Sequence, residues 1–300
     1  MKYFITGGLG FVGSHLTRYL LSKGHAVTAV GRRPDPPRPD APQLRYLSAD
    51  TTQSGAWQEA LRDQDVVINL AGKSIYTRWS SKAKNEIMQS RILTTRRVVE
   101  ALPADADITL CSTSAVGYYG DRGEDVLTED SPPGDDFLAR VGQSWEHEAL
   151  GARGKGARVV LTRFGIVLEK DGGAIPLMRK AFRSALGGNL GSGRQWFPWI
   201  HMRDLMAAFQ FVIATPEISG PVNFCSPEPV RNQTLTKVLA GKLSRPAFMP
   251  APAMMIRMVL GEFGQTLLNS QRAVPQKLQQ HGFTFTYPRL DDALDEILSK

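Results

Sequence analysis

The chain has few cysteines and no long hydrophobic run. Its 300 residues include two cysteines, Cys111 and Cys225, which are far apart and lack the close spacing of metal ligands. This scarcity argues against a disulfide framework, fits a reducing compartment and predicts no metal site. No apolar stretch approaches the ~20 residues that a membrane-spanning helix needs. We therefore expect a cytoplasmic protein with no membrane partner.

A basic segment is also lacking before the first apolar run, at residues 1–6. A secretion signal would begin with such a segment and continue through a longer apolar stretch. The run therefore predicts a β-strand at the start of the sequence.

Charge of one sign is only weakly in excess, since 36 Lys and Arg face 29 Asp and Glu for a net charge of +7. Nucleic-acid-binding proteins usually show a basic stripe interleaved with aromatic residues, or a recognised motif. Here basic residues form only pairs, such as Arg96-Arg97 and Arg179-Lys180. We expect no nucleic-acid partner and interpret the excess as a solvated surface, part of which can serve an anionic cofactor.

What the sequence does contain is an alternation of apolar strands and helices. The predicted strands are residues 1–6, 26–30, 45–47, 65–70, 108–111 and 158–161, and the predicted helices are residues 14–23, 57–62, 82–102 and 137–151. Such alternation is typical of a parallel sheet covered by helices on both sides. It predicts an α/β fold with a doubly wound parallel sheet of the Rossmann type. We expect residues 1–165 to bind a nucleotide and residues 166–300 to form a smaller C-terminal substrate region, partly interwoven with the first.

The second half gives weaker structural signals. Residues 34–42 and 187–193 are predicted loops, and residues 197–201 predict a short strand that enters a helix over 202–214. A further short strand is predicted over residues 221–224. The Met-rich stretch 250–268 has helical periodicity, and we interpret it as core packing.

A glycine-rich turn follows the first strand. The sequence Gly7-Gly8-Leu9-Gly10-Phe11-Val12-Gly13 lies between this strand and a helical pattern, and that order predicts a dinucleotide-binding loop. Gly7 allows the tight turn, Gly10 leaves room for a pyrophosphate, and Gly13 lets the helix pack closely. Phe11 and Val12 belong to the start of this helix, whose N–H groups attract phosphates. The alternative is a glycine turn that binds nothing.

The expected acidic residue after the second strand is absent. An NAD-binding site usually places a carboxylate there to hold the ribose 2′-hydroxyl, but this chain has Arg32 and Arg33. Guanidinium groups pair with a 2′-phosphate, which a carboxylate would repel. The pair predicts NADP(H), with NAD(H) as the less favoured cofactor, unless both arginines are simply loop charges.

Further cofactor contacts are expected where the third and fourth strands end. Asp50 follows the third strand and can reach the adenine. The fourth strand ends in Leu70-Ala71-Gly72, whose small residues let the backbone approach the cofactor.

These motifs together resemble the extended short-chain dehydrogenase/reductases of the epimerase/dehydratase kind. The resemblance rests on residues 6–13, 69–72, 112–120 and 201–205. More narrowly, the chain is similar to an atypical subgroup labelled "epimerase family protein", on stretches that include residues 90–96, 137–141 and 163–168 and a C-terminal segment of unknown role. The resemblance implies the extended fold, a nicotinamide cofactor and oxidoreductase or epimerase chemistry.

The catalytic tyrosine and lysine that the resemblance implies are missing. If Glu146 matches the family's following glutamate, the tyrosine position is Leu138 and the lysine position is Gly142. A shift by one residue gives Phe137 and Val141, so neither register restores the pair.

Four other residues are candidates for a part in catalysis. Ser114, with Thr113 as the alternative register, matches the family's serine, although it could merely cap a turn. Tyr118 follows Ser114 closely in the sequence and could face the cleft. The alternative is that it is an amphipathic tyrosine in the loop with no catalytic role. Arg91 matches the family's upstream asparagine and could join Arg78 and Lys73 around an anionic substrate or a developing oxyanion; otherwise it is a surface cation. His201 could act as a base, but it precedes a helix and more often has a structural role.

Two functions remain open. The first is an NADP(H)-binding oxidoreductase or epimerase-like enzyme for a small polar molecule, with an anionic substrate among the candidates. The second is a weakly active or inactive dinucleotide-binding regulator or scaffold, which the missing Tyr/Lys pair favours. A homodimer is a candidate assembly for either.

Overall fold

A computed structural model describes residues 1–34, 41–105, 107–184, 186–247 and 250–299. Within them the strands are β1 (Lys2–Thr6), β2 (Ala26–Gly31), β3 (Leu44–Ser48), β4 (Val66–Asn69), β5 (Thr109–Ala115), β6 (Val126–Leu127), β7 (Arg158–Phe164), β8 (Ile166–Glu169), β9 (Gly172–Gly173), β10 (Trp196–Phe197), β11 (Trp199–His201), β12 (Gly220–Phe224), β13 (Val230–Arg231) and β14 (Arg272–Ala273). The α-helices are α1 (Phe11–Ser22), α2 (Ser81–Ala101), α3 (Phe137–Leu150), α4 (Ala174–Arg183), α5 (Met202–Ala214), α6 (Asn232–Leu243), α7 (Ala253–Leu260), α8 (Glu262–Thr266), α9 (Gln276–Gln280) and α10 (Leu290–Ser299). Short 3₁₀ helices cover Ala56–Leu61, Val116–Tyr119 and Gly151–Lys155.

In the described part of the chain, seven parallel strands form the central sheet. Their order is β12-β7-β5-β4-β1-β2-β3. Thr6 at the end of β1 lies opposite Val30 on β2 and Asn69 on β4, so these three strands end at one edge. The predicted doubly wound parallel sheet is confirmed. The strand order reverses beside β1, which is where ligands bind in open α/β sheets.

Apolar side chains on both faces of the sheet create two cores. Along β1, Ile5 packs into a core with Leu16 of α1 and Phe209 of α5. Phe4 points the opposite way and packs with Val98 of α2 and residues of α3. Each face of the sheet is therefore covered by helices, as its apolar strands require.

The chain after residue 165 returns to the main sheet. Its strand β12 pairs with β7, and α5 shares the core beside α1. A separate core joins β8, α4, α6 and α10 through Leu168, Ile175, Leu235 and Leu294. The two regions are thus interleaved, and the boundary at residue 165 stays a prediction. None of the helices in the described ranges has the length and apolar character needed to cross a bilayer.

The methionines of the Met-rich stretch are exposed, which corrects the prediction that they pack in the core. On α7, Met254 and Met258 are each 73% exposed and Met255 is 55% exposed, while Ile256 is buried. The prediction of core packing was wrong for these methionines, whereas Phe263 later in the same stretch is buried. Helix α7 is apolar on most sides, so periodicity could not identify which side is buried.

Some boundaries differ from the predictions. Helix α1 begins at Phe11, directly after the glycine turn, rather than at residue 14. The predicted strand over 197–201 is two short strands that are interrupted at Pro198. Most of the predicted loop 34–42, residues 35–40, lies outside the described residues.

Candidate functional site

A cleft of about 490 Å³ opens at the carboxyl edge of the sheet. Seven of the residues predicted to bind a cofactor line it: Gly7, Gly10, Phe11, Val12, Gly13, Leu70 and Gly72. The remaining walls come from residues 73–76, from α2 and α3, from the ends of β5 and β7, from β8 and β9, and from part of the C-terminal segment. The cleft therefore lies at the position where this class of sheet holds its ligands.

The glycine turn at one end of the cleft requires glycine for steric reasons. Gly7 has a φ of +67°, and a Cβ atom on Gly13 would lie 2.1 Å from the Gly7 carbonyl oxygen. A Cβ atom on Gly10 would lie 3.1 Å from the same oxygen. Gly10 has no side chain to cap α1, so no side chain accepts a hydrogen bond from the N–H groups at the start of this helix. This cradle fits a diphosphate, which such a helix start attracts.

The antiparallel hairpin of β8 and β9 contacts Phe11, directly after the glycine turn. The Phe11 ring occupies the space beside Gly172. A Cβ atom on Gly172 would lie only 2.2 Å from ring atoms Cδ2 and Cε2 of Phe11. A Cβ atom on Gly173 would lie 3.0 Å from ring atom Cε1. Strand β9 can therefore approach Phe11 only because it consists of two glycines. Sequence reasoning missed these two glycines, because Gly172 is 161 positions from Phe11 in the sequence and meets it only in the folded chain.

The residues predicted for the adenosine end lie at the same sheet edge but outside the cleft lining. Arg32 and Arg33 are exposed and follow β2 directly. The carbonyl of Arg33 accepts a hydrogen bond of 2.9 Å from the Tyr46 hydroxyl. Asp50 is exposed, and its Oδ1 accepts bonds from the Thr52 N–H and hydroxyl at 3.0 and 2.8 Å. Both arginine side chains are thus available to an anion.

Ala71 is close to the turn although it does not line the cleft. Its N and Cα lie 3.2 Å from the point where a Gly7 Cβ would be. Its N–H also donates to the Thr6 hydroxyl at 3.2 Å. The backbone after β4 is therefore tied to the glycine turn.

Ser114 is buried in the cleft wall and donates to a carboxylate. Its hydroxyl donates a 2.7 Å hydrogen bond to Glu146 Oε1. The same oxygen accepts from Arg163 Nε at 2.7 Å, and Arg163 Nη2 donates to Glu146 Oε2 at 2.8 Å. Because the Ser114 proton is directed toward Glu146, the serine oxygen can present only lone pairs to a ligand.

The Glu146–Arg163 pair extends into a buried network. Arg163 Nη1 donates to the Tyr119 hydroxyl at 2.9 Å. The Tyr119 hydroxyl donates in turn to Asn223 Oδ1 at 2.7 Å. Burial alone would lower the pKa of Arg163, but its hydrogen bonds to Glu146 and Tyr119 raise it above the usual range. Burial raises the pKa of Tyr119. Arg163 therefore stays a cation and Tyr119 stays neutral around neutral pH, and both hold the wall behind Ser114.

Arg91 lines the cleft beside Gly72. Its Nη1 donates to the main-chain carbonyls of Lys73 at 2.9 Å and Ile87 at 3.0 Å, and its guanidinium lies 5.1 Å from the Trp145 ring. Burial lowers the pKa of Arg91 to about 10, which leaves it a cation at neutral pH. Its acceptors are carbonyls rather than carboxylates, so its charge is not neutralised by these contacts.

The other two cations predicted around Arg91 do not join it in the same way. Lys73 lines the cleft, but its ammonium pairs with Glu86. Arg78 is exposed and lies outside the lining. Among the described residues that line the cleft, Arg91 thus supplies the one guanidinium, and both acceptors of its Nη1 are main-chain carbonyls rather than carboxylates.

Tyr118 is not among the residues that line the cleft. Its ring stacks on Arg163, with 3.6 Å between the guanidinium carbon and the ring centroid. Leu138, in the family's tyrosine position, does line the cleft, whereas Gly142 packs against Tyr118. In the other register, Phe137 packs on Trp79 with ring centroids 4.9 Å apart.

The C-terminal segment supplies a wall that sequence reasoning did not identify. Phe263, Thr266, Leu267, Asn269 and Gln271 all line the cleft. Asn269 Nδ2 donates to Asp136 Oδ2 at 2.9 Å, which joins this wall to the start of α3. No local motif marks these residues. Only the buried apolar positions among them could have suggested a wall.

His201 has a structural place. Its Nδ1 accepts from the Arg203 N–H at 3.1 Å and caps α5, and its Nε2 lies 3.2 Å from Glu296 Oε2. It is 1% exposed and is not a lining residue of the cleft.

Comparison with protein families divides the chain into two matched parts. Residues 3–224 match the NAD dependent epimerase/dehydratase family. Residues 251–297 match a domain of unknown function, DUF1731. The second match contains the wall formed by residues 263–271.

Similar proteins match the chain along nearly its full length. An Arabidopsis thaliana protein, epimerase family protein SDR39U1 homolog, chloroplastic, is 38% identical over 99% of this chain and 87% of its own length. Epimerase family protein YfhF of Bacillus subtilis is 37% identical over 100% and 98%.

Solved structures agree with these matches. The human epimerase family protein SDR39U1 (isoform 2), crystallised with NADPH, has a TM-score of 0.88 and 32% identity over 100% of both chains. A Corynebacterium glutamicum protein described as a nucleoside-diphosphate sugar epimerase has a TM-score of 0.79 and 34% identity, over 99% of this chain and 58% of its own. The predicted resemblance is confirmed: the chain belongs to the NAD dependent epimerase/dehydratase family.

Proposed function

We propose that the protein is an NADP(H)-binding oxidoreductase or epimerase-like enzyme that acts on a small molecule. The observation that carries the proposal is the glycine cradle, in which a Cβ atom at Gly13 would lie 2.1 Å from the Gly7 carbonyl oxygen. That cradle begins α1 and lies at the edge where β1, β2 and β4 end. It fits the diphosphate of a dinucleotide.

The choice of NADP(H) over NAD(H) depends on Arg32 and Arg33. Both are exposed directly after β2, and no carboxylate occupies their positions. A charge-assisted bond to a 2′-phosphate contributes roughly 1.5–3 kcal/mol. The crystal structure of the human relative with NADPH supports the same choice. Asp50 is the proposed contact nearer the adenine, and Leu70, Ala71 and Gly72 bring the backbone after β4 close to the cofactor.

In this proposal the cofactor, when bound, supplies or accepts a hydride. Ser114 orients a substrate hydroxyl, because its own proton is donated to Glu146 and its lone pairs are free to accept. Arg91 stabilises negative charge on a substrate oxygen, since its guanidinium lacks a carboxylate partner among its hydrogen-bond acceptors. Tyr118 could reach a substrate only by leaving Arg163, so its position favours the alternative packing role.

A binding test decides whether the proposal holds. Fluorescence titration of the full chain with NADPH and NADH should give tighter binding of NADPH, and Gly13→Ala should weaken both. Failure of either nucleotide to bind at millimolar concentration would remove the proposal.

A dinucleotide-binding regulator is the second candidate, favoured by Leu138 and Gly142 in the usual tyrosine and lysine positions. Tight NADPH binding with no turnover of any carbonyl compound would support it. Turnover that is lost in Ser114→Ala or Arg91→Ala would support the enzyme.

A further inference from the structure

The C-terminal side of the cleft is an apolar surface. Leu138 of α3 and Leu267 line it together with Phe263. Phe263 is packed in turn against Tyr76 and Trp79, with ring centroids 5.8 and 5.7 Å apart. This surface offers a ligand hydrophobic contact rather than hydrogen bonds.

Polar groups on the same side are already used within the protein. Asp136 accepts from the Ala139 N–H at 2.8 Å and from Asn269 at 2.9 Å. The Thr266 hydroxyl donates to the Phe263 carbonyl at 2.7 Å. Gln271 Nε2 donates to the Gly120 carbonyl at 3.0 Å. These bonds occupy a donor on each of Thr266, Asn269 and Gln271, and the carboxamide oxygens that remain are acceptors, which do not bind phosphate.

The cleft also holds few positive charges. Among its described lining residues the cations are Lys73 and Arg91, and the Lys73 ammonium pairs with Glu86. A nucleoside diphosphate sugar carries two phosphate charges, which need several charged or N–H donors. The glycine turn is assigned to the diphosphate of the cofactor, so Arg91 is the cation that remains for a substrate.

We infer that the substrate is a small, mainly apolar ketone, aldehyde or alcohol rather than a nucleoside diphosphate sugar. Its hydrocarbon body packs on Leu138, Phe263 and Leu267, and its single oxygen lies beside Arg91, which can donate to it. When the substrate is an alcohol, its hydroxyl can also donate to the lone pairs of Ser114. The inference rests on the proposed function, because it assigns the glycine turn to NADP(H).

The experiment measures binding rather than turnover. The full chain is saturated with NADP⁺, which cannot reduce a ketone, and is titrated with 4-phenyl-2-butanone, 2-octanone and UDP-glucose by ligand-observed NMR. We expect both ketones to bind at least tenfold more tightly than UDP-glucose. UDP-glucose binding that equals or exceeds ketone binding, or absence of ketone binding, would overturn the inference.

A pair of variants locates the binding surface. Leu267→Arg places a charge on the apolar wall and should weaken ketone binding at least tenfold, with unchanged NADP⁺ affinity as evidence of an intact fold. Met258→Arg makes a matched change on α7 at a residue that is 73% exposed and outside the lining, and should leave ketone binding unchanged. If Leu267→Arg disturbs NADP⁺ affinity, the milder Leu267→Ser takes its place. Ketone binding that is insensitive to the wall variant would overturn the inference.

Failure of the proposed function gives a different result. If NADP⁺ does not bind, the proposed function fails, and the same ketones are titrated into the unloaded chain. Ketone binding that Leu267 variants weaken would then still support the substrate class, and its absence would overturn it.

Discussion

Tyr118 fills the space beside Gly142. A Cβ atom on Gly142 would lie 3.3 Å from Tyr118 Cβ and 3.4 Å from its Cα and Cδ2. The Tyr118 ring is held on its other side by the Arg163 guanidinium, 3.6 Å from the ring centroid. A side chain in the family's lysine position would therefore meet the packed tyrosine at a tighter than usual contact distance.

This packing predicts that the lysine cannot simply be restored. Gly142→Lys should destabilise the fold by about 1–3 kcal/mol, the usual cost of overpacking, because Tyr118 would have to move. Leu138→Tyr should cost less, since Leu138 lines the cleft and a larger ring can extend into it. Urea denaturation of both variants measures the difference. Equal stability of Gly142→Lys and the wild type would show that Tyr118 yields freely.

The cofactor end could be predicted from the sequence because its determinants are local. Strand, glycine turn and helix are contiguous, and the sterics of Gly7 and Gly13 act within one loop. The partner of Ser114 could not be predicted, since Glu146 is 32 residues away and meets it only through the packing of α3 on β5.

The Met-rich helix shows a different limit. Periodicity identifies one buried stripe, but Met254, Met255 and Met258 make α7 apolar on several sides. Which side is covered depends on the tertiary neighbours, and these are not encoded in the helix itself.

The glycine turn gives a direct prediction for cofactor affinity. Gly13→Ala would bring a Cβ atom within 2.1 Å of a main-chain oxygen, so α1 or the turn must shift. We expect NADPH affinity to fall at least a hundredfold. Gly241→Ala is the matched control, because a Cβ atom there meets no atom within 4 Å and the residue lies inside α6. Fluorescence titration compares the two, and an unchanged affinity in Gly13→Ala would contradict the proposed cradle.

Cofactor preference should depend on the two arginines after β2. The double change of Arg32 and Arg33 to alanine should lower NADPH affinity about ten- to a hundredfold, the loss of one charge-assisted bond or more, and leave NADH affinity nearly constant. Arg45→Ala removes an exposed charge from β3 and serves as the control. Calorimetry with both nucleotides measures the ratio, and a parallel loss for NADPH and NADH would argue against 2′-phosphate recognition.

The buried ion pair should matter far more to stability than an exposed one. Glu146→Ala leaves Arg163 buried without its carboxylate, which typically costs about 3–5 kcal/mol. Ser114→Ala removes one hydrogen bond and should cost about 1 kcal/mol. Glu100→Ala breaks an exposed pair with Arg97 and should cost at most about 1 kcal/mol. Chemical denaturation ranks the three, and a small effect of Glu146→Ala would mean that water reaches Arg163.

Titration of His201 should weaken the fold in mild acid. Burial lowers the pKa of His201 below its usual 6.5, although nearby Glu296 partly opposes the shift. The unfolded chain therefore takes up a proton first as the pH falls, and the stability that neutral His201 contributes above pH 6.5 is lost as the pH falls through its lowered pKa.

His201→Asn tests this assignment, because asparagine can still cap α5 through its side-chain oxygen but does not titrate. The free energy of unfolding is measured in urea at pH 7.5 and pH 5.0. We expect the wild type to lose more stability between these values than the variant does. Burial also lowers the pKa of His15 and His25, but both remain in the two proteins and cancel in the comparison. An equal loss of stability in wild type and variant would show that protonation of His201 does not cause the loss of stability between pH 7.5 and pH 5.0.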